Sequence, residues 1–230
     1  MADCGEATAV WCGPQGEFNE QSEWMAKDDL LRMVLNAQRS MARSKSAARR
    51  YAVQNLLVTN WTLTWEGEGE FVRSRAIARV NRFLRELRVK LGGAFPYLYV
   101  LEVHPGGHGY HVHLLLDDRF IDKHELQRLW GGIVWFSRHN KGGHSQRSEA
   151  RIAIGYLMKY LTKDWEAGSG QHRYERSVGF NVAVVRRIFR TFREAEAWLA
   201  GQREQAPLLQ RFDSETVEDW HGPPVLWMAW

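Results

Sequence analysis

The chain has 230 residues, 44% of them hydrophobic and 25% charged, the balance of a globular protein with a real core. No apolar run approaches the ~20 residues of a bilayer-spanning helix, and the opening Met1–Glu6 has neither the basic nor the apolar stretch of a secretory leader. Two cysteines, Cys4 and Cys12, cannot build a disulfide scaffold or a four-thiolate zinc site, so the expected compartment is a reducing cytoplasm, with no membrane partner.

The formal net charge is +4, but residues 1–30 carry one Lys against seven acids while residues 31–50 carry six bases and no acid. The basic surplus lies in residues 31–160, which suits a polyanionic partner for the middle of the chain. Eleven tryptophans supply flat rings that either fill the core or stack on bases.

Residues 1–20 are acidic and Gly-rich without a period, and read as a loose lead-in. From Glu23 to Tyr51 the apolar stripe of Met25, Leu30, Leu31, Val34 and Leu35 predicts a helix. Its basic end, Arg43, Lys45, Arg49 and Arg50, is either a solvated face or a phosphate contact. Asn55–Trp65, rich in Thr and large apolar residues, reads as a strand. Residues 72–91 predict a helix with Val80, Leu84, Leu87 and Leu91 on one face and Arg75, Arg79 and Arg82 on another. Tyr97–His104 and Gly109–Leu116 are strands joined by the turn signal Pro105-Gly106-Gly107-His108. A helix capped by Asp122 runs to Trp130. Ile133–Ser137 follows as a strand, 138–148 as a loop, Glu149–Lys163 as a helix and 172–180 as a strand. The last helix is expected over Val182–Gln202, before a Pro-containing tail. From 55 to 180 the order is β-α-β-β-α-β-α-β. That predicts an α+β fold, an antiparallel sheet of about five strands with helices packed on it and helical extensions at both ends. The expected domains are an N-terminal segment over 1–54, a central domain over 55–180 and a C-terminal helix and tail over 181–230.

Two constellations carry chemistry. Residues two apart in a strand share a face, ~6.6 Å apart, so His111 and His113 can aim at one ion while Val112 turns into the core. With a turn at 105–108, His104 pairs with Gly109 and Glu102 lies across from His111, with Cβ atoms ~5 Å apart. A register shift by two would place His104 opposite His111 instead and make it the rival ligand. Two imidazoles and a carboxylate suit a catalytic divalent ion, and the set excludes neither Mg²⁺, Mn²⁺ nor Zn²⁺. Alone, His-x-His is more simply a pair of half-exposed strand histidines. The second constellation is Tyr156-Leu157-Met158-Lys159-Tyr160, where helical spacing puts two phenols and an ammonium on one face. Alone, such tyrosines pack a helix onto a sheet. A phenol with its ordinary pKa near 10 becomes a nucleophile only with help from its surroundings.

Together, Trp61-Thr62-Leu63-Thr64-Trp65, His111-Val112-His113 with Glu102 upstream, and Tyr156-Leu157-Met158-Lys159-Tyr160 resemble the HUH endonuclease superfamily. More narrowly, over residues 55–180 the chain is similar to the two-tyrosine rolling-circle replication initiators of phages and plasmids. The resemblance implies an enzyme that nicks and joins single-stranded DNA at a replication origin through a 5′-phosphotyrosine. Tyr156 would be the first nucleophile, Tyr160 the second, and Lys159 would steady the phosphate or the tyrosinate. Glu102, His111 and His113 would hold Mg²⁺ or Mn²⁺, and Arg49, Arg50, Arg75, Arg79 and Arg82 would meet DNA phosphates. No helicase module is present in these residues, so host helicase and polymerase are expected partners. The alternatives are a transposase or relaxase with the same chemistry, a non-catalytic nucleic-acid-binding module, and a metal-dependent hydrolase that activates water.

Overall fold

The computed structural model describes residues 5–10, 29–104, 106–138, 145–161, 172, 174–203, 208, 210–218 and 224–230. Cys4, Cys12, the predicted helical start at 23–28, Pro105, the loop residues 139–144, and Thr162 and Lys163 lie outside them. The chain divides into two compact units, Arg39–Asn181 and a second formed by Met1–Gln38 with Val182–Trp230.

The elements in chain order are β1 (Glu6–Val10), α1 (Asp29–Gln54), β2 (Thr59–Thr64), α2 (Arg73–Lys90), β3 (Tyr97–Val103), β4 (Tyr110–Leu116), α3 (Lys123–Trp130), β5 (Ile133–Arg138), α4 (Gln146–Leu161), β6 (Glu175–Arg176), α5 (Phe192–Arg203), β7 (Gln210–Asp213) and β8 (Val225–Ala229). In the larger unit, five strands form an antiparallel sheet in the order β5-β2-β4-β3-β6, so the predicted α+β fold with a five-stranded sheet is the observed one. The strand expected over 172–180 shortens to the two residues of β6.

Strand alternation sorts the sheet into two faces. Trp61 and Leu63 of β2, Tyr99 of β3, Val112, Leu114 and Leu116 of β4 and Val134 of β5 share one core with Val80, Phe83, Leu84 and Leu87 of α2 and Leu126 and Trp130 of α3. The other face carries His111, His113 and Glu102, and there α4 packs on β3 and β4. The small buried Ala150 and Ala153 let α4 lie close to the strands. Its first turn is tied to β5, where Arg138 donates to the buried Glu149 carboxylate at 2.9 Å and also pairs with Asp118.

The hairpin between β3 and β4 depends on Gly109, whose φ is +75° and whose added Cβ would lie 2.4 Å from the Glu70 carbonyl oxygen. Only glycine tolerates both the left-handed backbone and that approach. The Tyr110 N–H donates to the same carbonyl at 2.7 Å, pinning the β2–α2 connection to the hairpin.

In the terminal unit the structure departs from the expected pattern. The lead-in contains β1, and the tail contains β8; they pair antiparallel from Glu6↔Ala229 to Val10↔Val225, with β7 on the other side of β8. A five-residue strand whose partner lies at the opposite end of the sequence leaves no local period to read. The predicted last helix is also shorter: 182–190 is irregular and α5 spans Phe192–Arg203, packing on β1. Val182 to Ile188 is rich in β-branched residues, which restrict χ1 and disfavour helix.

Candidate nuclease site on the sheet

The register places Glu102 directly across from His111, as the turn predicts, and the His104 N–H donates to the Gly109 carbonyl at 2.8 Å. The rival register, with His104 opposite His111, is therefore not adopted. His104 instead stacks on the His111 ring, with centroids 4.4 Å apart, and its Nδ1 accepts from the Gly106 N–H.

Glu102 and His113 are buried, 6% and 5% exposed, and contact each other at 2.7 Å between Oε2 and Nε2. A carboxylate can only accept, so His113 Nε2–H donates. The Nδ1 atoms of both imidazoles face threonine hydroxyls of β2: Thr62 stands 3.3 Å from His113 Nδ1 and Thr64 3.3 Å from His111 Nδ1. These threonines sit opposite the histidines in the register. Their role is absent from the sequence reading, which took the β2 motif as a strand signature; the signal was the Thr-x-Thr alternation matching His-x-His. The His111 Nε2 is buried without a hydrogen-bond partner. Burial, and then the neighbouring His104 and His113, push the His111 pKa down to about 4, which keeps the ring neutral with a lone pair available near neutral pH.

Tyr160 lies face to face on His113, with centroids 3.7 Å apart and 9° between planes. Its hydroxyl donates to the Tyr156 oxygen at 2.9 Å, and the Lys159 ammonium stands 4.0 Å from the Tyr156 ring centroid. Burial, followed by the Tyr156 contact, raises the Tyr160 pKa well above the ordinary phenol value, so it stays a donor. The structure thus brings Glu102, His113, Tyr156, Lys159 and Tyr160 together, with His111 beside Glu102.

Among the described residues no three His, Cys, Asp or Glu side chains stand as a ready metal-binding group. The donor set still fits a divalent ion in kind. His111 offers an orphaned Nε2, and Glu102 and His113 are occupied only with one another. If the Glu102–His113 contact opens, the His113 proton can move to Nδ1, where the Thr62 hydroxyl can accept it.

The arginines do not gather around this site. α2 lies on the sheet face opposite the imidazoles, so Arg75, Arg79 and Arg82 cannot join them along one face; this corrects the expectation of a strand touching both. Arg79 donates to the Trp130 carbonyl and lies over the Trp130 ring, while Arg75 pairs with Glu70 at 3.2 Å and Arg82 with Glu86 at 3.8 Å. Arg50 donates to the Ser46 hydroxyl at 2.7 Å, and Arg49 is half-buried on the same helix. No helix among the described residues is long and apolar enough to cross a membrane.

No curated protein and no solved structure matches the chain. Residues 58–165, which run from the start of β2 past the end of α4 and contain both histidines, Glu102 and both tyrosines, are similar to the replication-associated protein family of the ORF2 type.

Proposed function

We propose that the protein nicks and rejoins single-stranded DNA at a replication origin, with a tyrosine of α4 as nucleophile and a 5′-phosphotyrosine as intermediate. The observation that carries this reading is the stacking of Tyr160 on His113, which sets a pair of phenols against a buried imidazole–carboxylate pair. The similarity of this segment to a replication-associated family supports the biological setting.

Tyr156 is the first nucleophile. Tyr160 donates to its oxygen and the Lys159 ammonium stands over its ring, so both favour negative charge developing there. The Tyr156 oxygen bonds to phosphorus, the P–O3′ bond breaks, and the phenolic proton ends on the departing 3′ oxygen. The products are a 5′-phosphotyrosine and a free 3′-OH that primes synthesis. Tyr160 acts in the second transfer, and joining runs without ATP because the ester keeps the energy of the broken bond. Glu102, His111 and His113 would hold Mg²⁺ or Mn²⁺, which when bound would polarise the non-bridging oxygens of the phosphate. The reading calls for host helicase and polymerase as partners, in the cytoplasm.

Incubation with single-stranded origin-like oligonucleotides and Mn²⁺ tests it. A protein–DNA adduct that survives denaturation is the expected result, and cleavage without an adduct would point to activated water instead. One observation favours a second reading: the Glu102–His113 contact closes the site to an ion as it stands, as a non-catalytic binding module would tolerate. Strand binding with neither cleavage nor adduct would select that reading.

A further inference from the structure

We propose that Trp135 of β5 is a base-stacking shelf for the single strand whose phosphate is attacked. The inference rests on the nicking reading for its ligand, a single DNA strand, and adds a binding position to it.

Strand register puts the shelf on the site's own face. Trp135 pairs with Thr62, and Thr62 pairs with His113, so the three side chains form one row across β5, β2 and β4. Two strand spacings separate the ends of that row, ~10 Å, which a short stretch of extended DNA covers. In the adjacent row Ile133 pairs with Thr64 and Thr64 with His111.

Exposure gives the row a direction. α4 packs over β3 and β4 and stands as a wall carrying Tyr156 and Tyr160. At the β5 end Trp135 is 65% exposed and Ile133 41%, whereas Trp61 and Trp130 on the opposite face are buried in the core. A strand with one phosphate at the imidazoles therefore finds its open path across β2 to β5. A flat indole lies on that path, and every base offers it a π-face.

A cation accompanies the ring. The Lys123 ammonium, from the first turn of α3, stands 5.4 Å from the Trp135 ring centroid. It can neutralise the phosphate beside a base stacked on the indole, the combination of aromatic and cation that single-strand binders use.

The test is equilibrium binding by fluorescence anisotropy in EDTA, so that no cleavage intervenes. The probes are labelled oligothymidylate and an abasic strand of the same length. Trp135→Ala should weaken oligothymidylate binding about 5- to 150-fold while leaving the abasic strand unaffected. Trp135→Phe should recover most of the loss, since it keeps a π-face. Lys123→Gln should reduce the slope of log affinity against log salt by ~0.7 for both strands. An equal loss for the two strands, or no loss on Trp135→Ala, overturns the shelf. The adduct assay on the unaltered protein runs in parallel. An adduct with Trp135-independent binding removes the shelf and keeps the nicking; a Trp135-dependent preference for bases without an adduct does the reverse.

Discussion

Thr62 and Thr64 have one oxygen each in the site and no part in the chemistry, yet they decide how the imidazoles present themselves. A hydroxyl can donate to Nδ1 or accept from it, so each threonine can serve either tautomer while directing Nε2 away from β2. Thr62→Val and Thr64→Val keep the branched shape and remove that partner. Each should lower adduct formation by about 10- to 100-fold and raise the Mn²⁺ concentration needed, with thermal unfolding nearly unchanged. The tyrosines are separable at the same scale. Tyr160 donates to Tyr156, and one helical turn of ~5.4 Å keeps both from lining up on one phosphorus together. Tyr156→Phe should abolish the first adduct because the ring stays and the nucleophile goes. Tyr160→Phe should leave the first nick and impair strand joining, as followed on denaturing gels with separately labelled strand ends. Loss of the first adduct on Tyr160→Phe alone would reverse these roles.

Between elements, the most informative contact is the one that holds α2 to α3. Asp122 caps α3 by accepting from the Glu125 N–H at 3.0 Å, and Gly131 ends it in the left-handed region at φ +67°. That ending leaves the Trp130 carbonyl open to Arg79, which also lies 5.4 Å over the indole. The Trp130 indole N–H in turn donates to the Thr64 carbonyl at 2.9 Å, so the clamp reaches the strand that orients the histidines. Arg79→Ala should therefore lower the unfolding free energy by about 1–3 kcal/mol, one hydrogen bond plus one cation–π contact, read from urea denaturation. It should leave the salt dependence of single-strand binding where it was. An arginine stripe on a helix looks uniform in sequence; only the neighbouring element shows that one member is a clamp.

The molecule as a whole separates into a unit that carries the entire site and a terminal unit with its own small core. The terminal core joins Ala9, Leu226 and Met228 of the sheet to Ala195 and Leu199 of α5. The larger unit has a core running through β2, β3, β4 and β5 with α2 and α3, and α4 covers its other face. A fragment of residues 39–181 should therefore unfold cooperatively in circular dichroism and still form the DNA adduct. Loss of the cooperative transition would show that the terminal unit is needed for folding.

The order of elements, the β3–β4 register and the pairing of Glu102 with His111 were legible in the sequence because each is set locally. Alternation fixes a strand's faces, a Pro-Gly-Gly turn fixes the register, and three-to-four spacing places Tyr156 and Tyr160 on one side of a helix. What tertiary structure alone decided are relations between residues far apart in the chain. β1 and β8 became strands because they found each other across more than two hundred residues. The arginines of α2 left the site because that helix buried its apolar stripe on the far face of the sheet. Tyr160 came to lie on His113 through the packing of α4 over β3 and β4. In each case local periodicity specifies which side of an element is apolar, while the burial of that side against a particular partner decides what its other residues face.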